Sequence, residues 1–250
     1  MSRSRAAAAP RRARLDQLLV QRGEVPDLAT ARALILAGRV HGDDRRYTQA
    51  GQQIACDARL TVRAARPFAS RGGEKLSAAL DAWPIAFADA VCLDVGASTG
   101  GFTDVLLQRG AEHVYAVDVG YGQLAETLRR DARVTSLERT HICELDILPE
   151  RPNLAVIDVS FIGLCQVLPC VQRLLGPGRD VVALVKPQFE APPVDVDDRG
   201  VVRDRLAQGR AVGGIIAWAV ENQWRVGGVL RSPLVGPAGN REWFVWLRSP

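Results

Sequence analysis

The chain has 250 residues, of which 47% are hydrophobic and 24% are charged, which is the composition of a globular protein. This length accommodates one full α/β domain and a smaller one. No apolar stretch approaches the roughly 18 residues of a membrane span, and residues 1–14 lack the apolar segment of about 7–15 residues that a signal peptide needs. We therefore expect a soluble, cytoplasmic protein of two domains.

The five cysteines give no sign of a disulfide framework or a metal site. Their number is odd, none belongs to a Cys-x-x-Cys pair, and no histidines cluster beside them. We expect no metal ion, and thiols that act as small apolar core residues in a reducing compartment.

Positive charge is concentrated in the first third of the chain. Residues 1–75 carry a net charge of +8, whereas residues 76–250 carry a net charge of −4. Neutralisation of phosphates supplies most of the sequence-independent affinity for nucleic acids, so a polyanion would dock on this third. A basic surface that is only solvated is the alternative. Residues 1–13 are rich in arginine and free of acids, which predicts a flexible basic tail, although a transit peptide has a similar composition.

Two short helices and a hairpin are predicted after the tail. Apolar residues at helical spacing predict a helix that begins near Leu15. A second helix is predicted over Ala31 to Ala37, with Asp27 or Thr30 as its N-cap. A polar turn at 42–44 then leads into residues that can pair as small strands.

Residues 14–66 are predicted to form one domain, of which roughly 14–60 resemble the RNA-binding domain named after ribosomal protein S-four. The likeness rests on Arg-Leu-Asp-x-Leu-Leu-Val from Arg14 and on Ala-x-x-Leu-Ile-x-x-Gly-x-Val from Ala31, and it departs from the usual pattern at the turn 42–44. The resemblance implies an RNA clamp ahead of a second domain at 67–250. The arginines predicted to contact RNA are Arg14, Arg32, Arg39, Arg45, Arg46 and Arg71.

The second domain alternates short apolar runs with helical stretches, which is typical of α/β folds with a parallel sheet. The runs that predict strands are Val91–Val95, His113–Val117, Val134–Leu137, Leu154–Ile157, Val181–Val185, Trp224–Leu230 and Trp243–Leu247. Seven strands of this kind predict a doubly wound sheet, whose ligands bind at the carboxyl ends of the strands. No helix separates the last two runs, so one of them is expected to be antiparallel.

A glycine-rich loop follows the first of these strands and opens a helix. It reads Asp94-Val-Gly-Ala-Ser-Thr-Gly-Gly-Phe-Thr-Asp104, and Asp118 ends the next strand, where a carboxylate can bind ribose hydroxyls. The loop lacks the Gly-x-Gly-x-x-Gly of dinucleotide enzymes, and an acid at Asp94 suits the sulfonium and ammonium of S-adenosylmethionine better than a pyrophosphate. The residues predicted to bind this cofactor are Asp94, Gly96, Ala97, Ser98, Thr99, Gly100, Gly101, Phe102 and Asp118.

Two further carboxylates, Glu138 and Asp146, flank the position after the third strand where an adenine commonly sits in such folds. Either could bind the cofactor, or both could belong to surface turns. The loop 191–200 is rich in proline and acidic residues, so we do not assign it to RNA contact.

Lysine usage is unusual, because Lys75 and Lys186 are the only lysines among 32 basic residues. Arginine cannot give up its proton, whereas a buried lysine beside another cation can, so a reaction that needs a free amine would retain lysine. Chance retention is the alternative. Asp158 and Lys186 end two predicted strands and should point into the same crevice, and Glu242 precedes the last strand.

In these stretches the chain resembles the TlyA-type haemolysin A family, which joins an S-four-type domain to a methyltransferase of the FtsJ type. The matching segments are 70–73, 94–104, 118–124, 158–162 and 186–190. The resemblance implies 2′-O-methylation of cytidine in ribosomal RNA by a tetrad of Lys75, Asp158, Lys186 and Glu242. We predict that Lys186 is the general base, that Lys75 and Asp158 tune its proton affinity, and that Glu242 orients the nucleophile.

Three other functions are weighed against this one. A non-catalytic ribosome-binding or assembly factor would use the pocket as a sensor, and methyl transfer would distinguish it from an enzyme. The haemolysin name suggests a membrane-lytic protein, against which the sequence offers no spanning segment or long amphipathic helix. An oxidoreductase would need a dinucleotide loop.

Overall fold

The computed structural model describes residues 11–42, 45–63 and 67–250, which form two compact units divided between residues 65 and 66. Most of the predicted basic tail, residues 1–10, lies outside the described residues. The prediction of a flexible tail up to residue 13 is wrong for Arg12 and Ala13. Both belong to a strand, because their backbone groups pair with a second strand at Gln53–Ala55.

The N-terminal unit contains the two predicted helices and the predicted hairpin. Its elements are β1 (Arg12–Arg14), α1 (Leu15–Gln21), α2 (Leu28–Leu36), β2 (Val40–His41), β3 (Arg46–Tyr47), β4 (Gln53–Ala55) and β5 (Thr61–Val62). Helix α2 begins three residues before the predicted Ala31, because the carboxylate of Asp27 accepts a hydrogen bond from Thr30 N at 2.7 Å and so caps it. Strand β2 lies between β3 and β5 and pairs with both in antiparallel fashion, and residues 43–44 of the predicted turn lie outside the described residues.

The C-terminal unit alternates strands with helices as predicted. Its elements are α3 (Arg71–Ala82), β6 (Val91–Val95), α4 (Gly101–Gln108), β7 (His113–Val117), α5 (Glu126–Arg129), β8 (Val134–Leu137), β9 (Leu154–Ile157), α6 (Leu164–Leu175), β10 (Asp180–Val185), α7 (Pro187–Glu190), α8 (Arg205–Glu221), β11 (Arg225–Arg231) and β12 (Trp243–Arg248). Short 3₁₀ helices occur at Ile142–Glu144 and Pro193–Asp195. Among the described residues, no helix combines the length and the apolar character needed to cross a membrane.

Seven strands form one sheet in the order β11-β12-β10-β9-β6-β7-β8. The prediction of a seven-stranded α/β sheet is confirmed. Strands β6 to β10 pair in parallel, whereas β12 runs antiparallel to both β10 and β11. The expected antiparallel member is therefore the last strand, which can follow β11 through a loop because a return in the opposite direction needs no crossover helix.

Side chains of the central strand β6 alternate between the two faces of the sheet, as the period of two requires. Val91, Leu93 and Val95 belong to the apolar core that includes α6 and α8. Cys92 belongs to a second core on the other face, with α3 and α4. Burial on both faces explains why this strand reads as a continuous apolar run, and it leaves the carboxyl ends of the strands as the place for polar groups.

Cys143 and Cys170 form a disulfide, so the expectation that every cysteine would be a free core thiol is wrong for these two. The bond joins the 3₁₀ helix at Ile142–Glu144 to α6, across 27 residues of sequence. No sequence motif reports this pairing, because it depends on how that 3₁₀ helix packs on α6. Cys56, Cys92 and Cys165 are free thiols.

Candidate active site

The glycine-rich loop between β6 and α4 makes a tight turn at the carboxyl end of the sheet. Gly96 and Gly100 have φ angles of +84° and +90°, which only glycine adopts without strain. A Cβ on Gly96 would lie 2.6 Å from the carbonyl oxygen of Asp158, so glycine also allows the loop to approach the end of β9 closely. Helix α4 begins at Gly101, and its first backbone N–H groups therefore face this edge of the sheet.

Asp118, at the end of β7, is tied to the glycine-rich loop and to its own turn. Its Oδ2 accepts a hydrogen bond from Ser98 N at 2.8 Å, and its Oδ1 accepts one from Gly120 N at 2.6 Å. Each carboxylate oxygen can accept a second hydrogen bond, so these contacts fix the side chain and leave capacity for a ligand.

Asp94 is fully buried beneath the loop rather than lining a cavity. Its Oδ2 accepts a hydrogen bond from the Thr103 hydroxyl at 2.6 Å, whereas its Oδ1 has no hydrogen-bond partner among the described residues. Burial raises the pKa of Asp94 to about 7, and the carboxylates of Asp158 and Asp118 add to the rise. The unpaired oxygen lines neither cavity, although the sequence predicts that Asp94 lies beside the cofactor.

Two adjoining cavities open at the carboxyl ends of the strands. The first, which we call the strand-end cavity, has a volume of about 670 Å³. Its walls include Asp118, Thr140, His141, Ile142 and Val159. The second, which we call the lysine cavity, has a volume of about 710 Å³. The residues that line both cavities are Gly96, Ser98, Asp158, Ser160 and Phe161.

All four members of the predicted tetrad line the lysine cavity, where they form two ion pairs. Lys75 Nζ lies 2.5 Å from Glu242 Oε2, and both side chains are almost completely buried. Lys186 Nζ lies 2.6 Å from Asp158 Oδ1 and 2.9 Å from the hydroxyl of Ser160. Two lysines and two carboxylates thus meet in one cavity, each lysine against one carboxylate.

The chain positions these groups at the ends of regular elements. Asp158 directly follows β9, and Lys186 directly follows β10, so the parallel pairing of the two strands brings the side chains together. Pro187 then starts α7 immediately after Lys186, which fixes the direction of the backbone there. Lys75 lies on α3, and Glu242 directly precedes β12.

Glu190, which sequence reasoning did not single out, connects two of these loops. Its Oε1 accepts a hydrogen bond from Leu164 N at 2.9 Å and so caps α6 at its amino end, where Gly163 has no side chain to do so. Burial raises the pKa of Glu190. The contact fastens the loop after Asp158 to the helix after Lys186.

Four predicted cofactor residues, Asp94, Gly100, Glu138 and Asp146, lie outside both cavities. Asp146 is exposed, and its carboxylate lies 3.6 Å from the guanidinium of Arg173. Glu138 accepts hydrogen bonds from backbone N–H groups of 122–124, Gly122 foremost, and these lower its pKa. Glu138 therefore organises the loop after β7, while the residues that face the strand-end cavity at this point are Thr140, His141 and Ile142.

The arginines that were predicted to contact RNA differ in their surroundings. Arg14 and Arg32 both pair with the buried carboxylate of Asp16, and the Arg14 hydrogen bond holds the pKa of Asp16 at about 2. Arg45 lies 4.9 Å above the ring of Tyr47. Arg71 belongs to the other unit and lines the lysine cavity.

The loop 191–200, which sequence reasoning set aside, contributes Arg199 and Gly200 to the lysine cavity. Two of its three acidic residues are paired with arginines, whereas Asp198 is exposed. Asp195 pairs with Arg210, and Asp197 pairs with Arg203. No local sequence signal places Arg199 at the cavity, because only the folding of the loop against the end of the sheet does so.

Comparison with known proteins shows which family this chain belongs to. Residues 68–249 match the family model of the FtsJ-like methyltransferases. A relative from Mycobacterium tuberculosis, named 16S/23S rRNA (cytidine-2′-O)-methyltransferase TlyA, is 46% identical over 96% of this chain and 91% of its own length. A solved structure named as a candidate hemolysin from Streptococcus thermophilus is 38% identical, covers 97% of this chain and 90% of its own, and superposes with a TM-score of 0.72.

A more distant solved structure shares the fold alone. It is an S-adenosylmethionine dependent methyltransferase from Mesorhizobium loti, 18% identical over 68% of this chain and 96% of its own, with a TM-score of 0.51. The expected Rossmann-like methyltransferase fold is confirmed. Together with the TlyA relative, the family match over most of the chain means that this protein belongs to the FtsJ-like methyltransferase family.

Proposed function

We propose that this protein transfers a methyl group from S-adenosylmethionine to the ribose 2′-hydroxyl of a cytidine in ribosomal RNA. The observation that carries the proposal is the convergence of Lys75, Asp158, Lys186 and Glu242 on one cavity beside the glycine-rich loop. The printed name of the Mycobacterium tuberculosis relative supports the choice of nucleoside and of RNA.

The residues around the strand-end cavity fit S-adenosylmethionine. Asp118 offers a fixed carboxylate for ribose hydroxyls, and Ile142 and Val159 offer apolar walls for a planar base. Asp94 lies buried beneath the loop that joins the two cavities, where its charge would favour a cationic amino acid end without contacting it. When bound, this cofactor would supply a methyl group on a positively charged sulfur.

Lys186 is proposed to hold the proton of the 2′-hydroxyl. The ammonium that pairs with Asp158 cannot accept a proton, so it must first release one to solvent. As the free amine, its Nζ then takes the hydroxyl proton as the oxygen becomes nucleophilic. Asp158 and Ser160 fix that nitrogen through the contacts at 2.6 and 2.9 Å. Glu242, held by Lys75, is proposed to orient the ribose.

The N-terminal unit is proposed to bind the RNA. Residues 1–65 hold 12 arginines against 6 acidic residues, a net charge of +6, which favours a polyanion. Arg39, Arg45 and Arg46 lie at the end of α2 and around the β2–β3 hairpin and are the proposed phosphate contacts. Arg14 and Arg32 share one carboxylate, that of Asp16, so the three side chains together keep a net positive charge. Both arginines are proposed to contact RNA as well.

The test is methyl transfer by purified full-length protein. Labelled S-adenosylmethionine and ribosomal subunits from cells that lack the activity are the substrates, and 2′-O-methylcytidine is identified by mass spectrometry after nuclease digestion. Lys186→Arg keeps the positive charge beside Asp158 but cannot accept a proton, so kcat should fall by about 10²- to 10⁴-fold. Arg205→Lys, a substitution outside both cavities, is the control.

Either of two results would overturn the proposal. A Lys186→Arg enzyme with wild-type turnover would remove the general base. A wild-type protein that binds ribosomal subunits without methylating them would favour a non-catalytic assembly factor instead.

A further inference from the structure

The lysine cavity is lined by two cations in addition to the four residues of the tetrad. Among the residues that line it are four cations and two carboxylates. Each lysine is already paired with one carboxylate, at 2.5 and 2.6 Å. The remaining cations are Arg71 and Arg199, both exposed, and within the described ranges neither forms an ion pair.

Both arginines are fixed to the loop that leads to Glu242. Arg71 is the first residue of α3 and donates a hydrogen bond to the carbonyl oxygen of Val235 at 3.4 Å. The turn that carries Arg199 is held by Asn240, whose side chain donates to Gly200 O at 2.8 Å and accepts from Val202 N at 3.0 Å. Asn240 is buried, so the backbone of the turn that carries Arg199 is held at the cavity by a packed side chain.

The turn itself is also internally fixed. Asp197 accepts hydrogen bonds from Arg199 N at 2.9 Å and Val201 N at 2.8 Å, and its second oxygen pairs with Arg203. Gly200 takes a φ of +74°, the left-handed conformation that reverses the chain here. The carboxylate of Asp197 is thus occupied by its own loop, and the guanidinium of Arg199 is left for a ligand.

The chemistry of an RNA substrate identifies that ligand. A ribose 2′-hydroxyl lies on the carbon next to the one that carries the 3′-phosphodiester, so a 2′-hydroxyl that reaches Lys186 brings a phosphodiester into the same cavity. That anion needs a cationic partner once it loses water, and planar guanidinium groups bind phosphate oxygens in bidentate fashion. Lys75 and Lys186 cannot bind the phosphate without leaving the carboxylates of Glu242 and Asp158 unpaired.

We propose that Arg199 and Arg71 clamp the phosphodiesters on either side of the target nucleotide and so position its ribose for the tetrad. This inference rests on the proposed function and assigns Arg199 as a positioning residue. The side chain binds RNA and takes no part in the proton transfer, so its loss should raise KM for RNA by a larger factor than it lowers kcat.

The test compares Arg199→Gln with the matched control Arg205→Gln, an equal loss of charge at an exposed residue outside the cavity. We expect Arg199→Gln to weaken binding of an RNA fragment that contains the methylated nucleotide by about tenfold. The slope of log K against log salt should decrease in magnitude by about 0.7, the value for one phosphate contact with a single strand. Arg199→Lys should restore the slope, because it restores the charge.

Replacement of single phosphates identifies the phosphate that Arg199 contacts. Methylphosphonate replaces one phosphate at a time on each side of the methylated nucleotide, and binding is measured by fluorescence anisotropy without cofactor. The neutral linkage that faces Arg199 should weaken wild-type binding but leave Arg199→Gln unaffected. If the losses of binding energy from methylphosphonate and from Arg199→Gln add at every position, the proposal is overturned. An unchanged salt slope for Arg199→Gln, or a loss of S-adenosylmethionine affinity in calorimetry, would also overturn it.

The readouts also separate this proposal from the proposed reaction. Anisotropy reports RNA binding whether or not a methyl group is transferred. A wild-type protein that shows the Arg199-dependent phosphate coupling but no methylation would refute the reaction and keep the clamp. Methylation that is equally efficient with Arg199→Gln, at RNA concentrations below KM, would refute the clamp and keep the reaction.

Discussion

At the scale of single residues, the distinction between lysine and arginine carries the most information. The chain uses arginine almost everywhere, and both of its lysines lie in one cavity, each against a carboxylate. The two pairs differ in environment, because the side chain of Glu242 is 1% exposed and that of Asp158 is 22% exposed. An unpaired charge on Glu242 should therefore lower the free energy of unfolding more than an unpaired charge on Asp158.

This difference predicts unequal effects on stability. Lys75→Met leaves Glu242 buried without a partner and should lower the free energy of unfolding by about 3–5 kcal/mol. Lys186→Met should cost less, because water can reach Asp158. Urea unfolding followed by tryptophan fluorescence reports this unit selectively, since all five tryptophans lie in residues 66–250. Equal losses for the two variants would contradict the comparison.

Asp94 predicts a pH dependence. Its pKa in the folded protein is about 7, above the unfolded value of 3.8, so it binds a proton more tightly when folded. Its contribution to stability is complete below pH 3.8 and is lost as the pH rises through 7, a change of about 4 kcal/mol at most. The free energy of unfolding of wild type minus that of Asp94→Asn should therefore decrease between pH 4 and pH 7. A difference that stays constant over this range would show that Asp94 ionises normally.

At the scale of elements, the active site is built by loops that follow the carboxyl ends of parallel strands. Four of these loops are tied in two pairs, the loops after β6 and β7 and the loops after β9 and β10. Asp118 binds the backbone of the glycine-rich loop, Lys186 binds Ser160 in the loop after β9, and Glu190 caps α6. The site is consequently held by contacts between elements. A substitution in one loop should therefore also destabilise the loop that it contacts.

The cap of α6 tests this dependence. Glu190→Ala removes the acceptor for Leu164 N and should lower the free energy of unfolding by about 1 kcal/mol. Glu190→Gln keeps a carbonyl oxygen at this position and should retain most of the stability. Urea unfolding of both variants provides the measurement, and a Glu190→Gln protein as unstable as Glu190→Ala would show that the charge, rather than the cap, is what matters.

At the scale of the whole molecule, the disulfide joins two walls of the strand-end cavity. The 3₁₀ helix at Ile142–Glu144 and helix α6 both contribute residues to that cavity, and Cys143–Cys170 connects them. The cross-link closes a long segment of chain and therefore constrains the unfolded state more than the folded one.

Removal of the cross-link should lower stability. Chain entropy for a loop of this length corresponds to about 3–4 kcal/mol, so a Cys143→Ser/Cys170→Ser protein should unfold at a lower urea concentration than the oxidised wild type. Cys165→Ser, which removes a free thiol, is the control. Peptide mapping without reductant should recover the Cys143–Cys170 linked peptide. Unlinked peptides from freshly oxidised protein would refute the pairing.

The sequence alone determined the sheet and its ligand-binding edge. Apolar runs bounded by turn residues predict all seven strands, because burial on both faces requires continuous apolar segments. Asp118, Asp158 and Lys186 could be placed near the ligand because each directly follows such a run, and the carboxyl ends of parallel strands share one edge.

Tertiary structure alone decided which of these groups contact one another. The pairing of Lys75 with Glu242, the Cys143–Cys170 bond and the position of Arg199 at the lysine cavity join residues far apart in the chain. Such contacts depend on how helices and loops pack on the sheet. Local periodicity carries no information about that packing, since it reports only which face of an element is apolar.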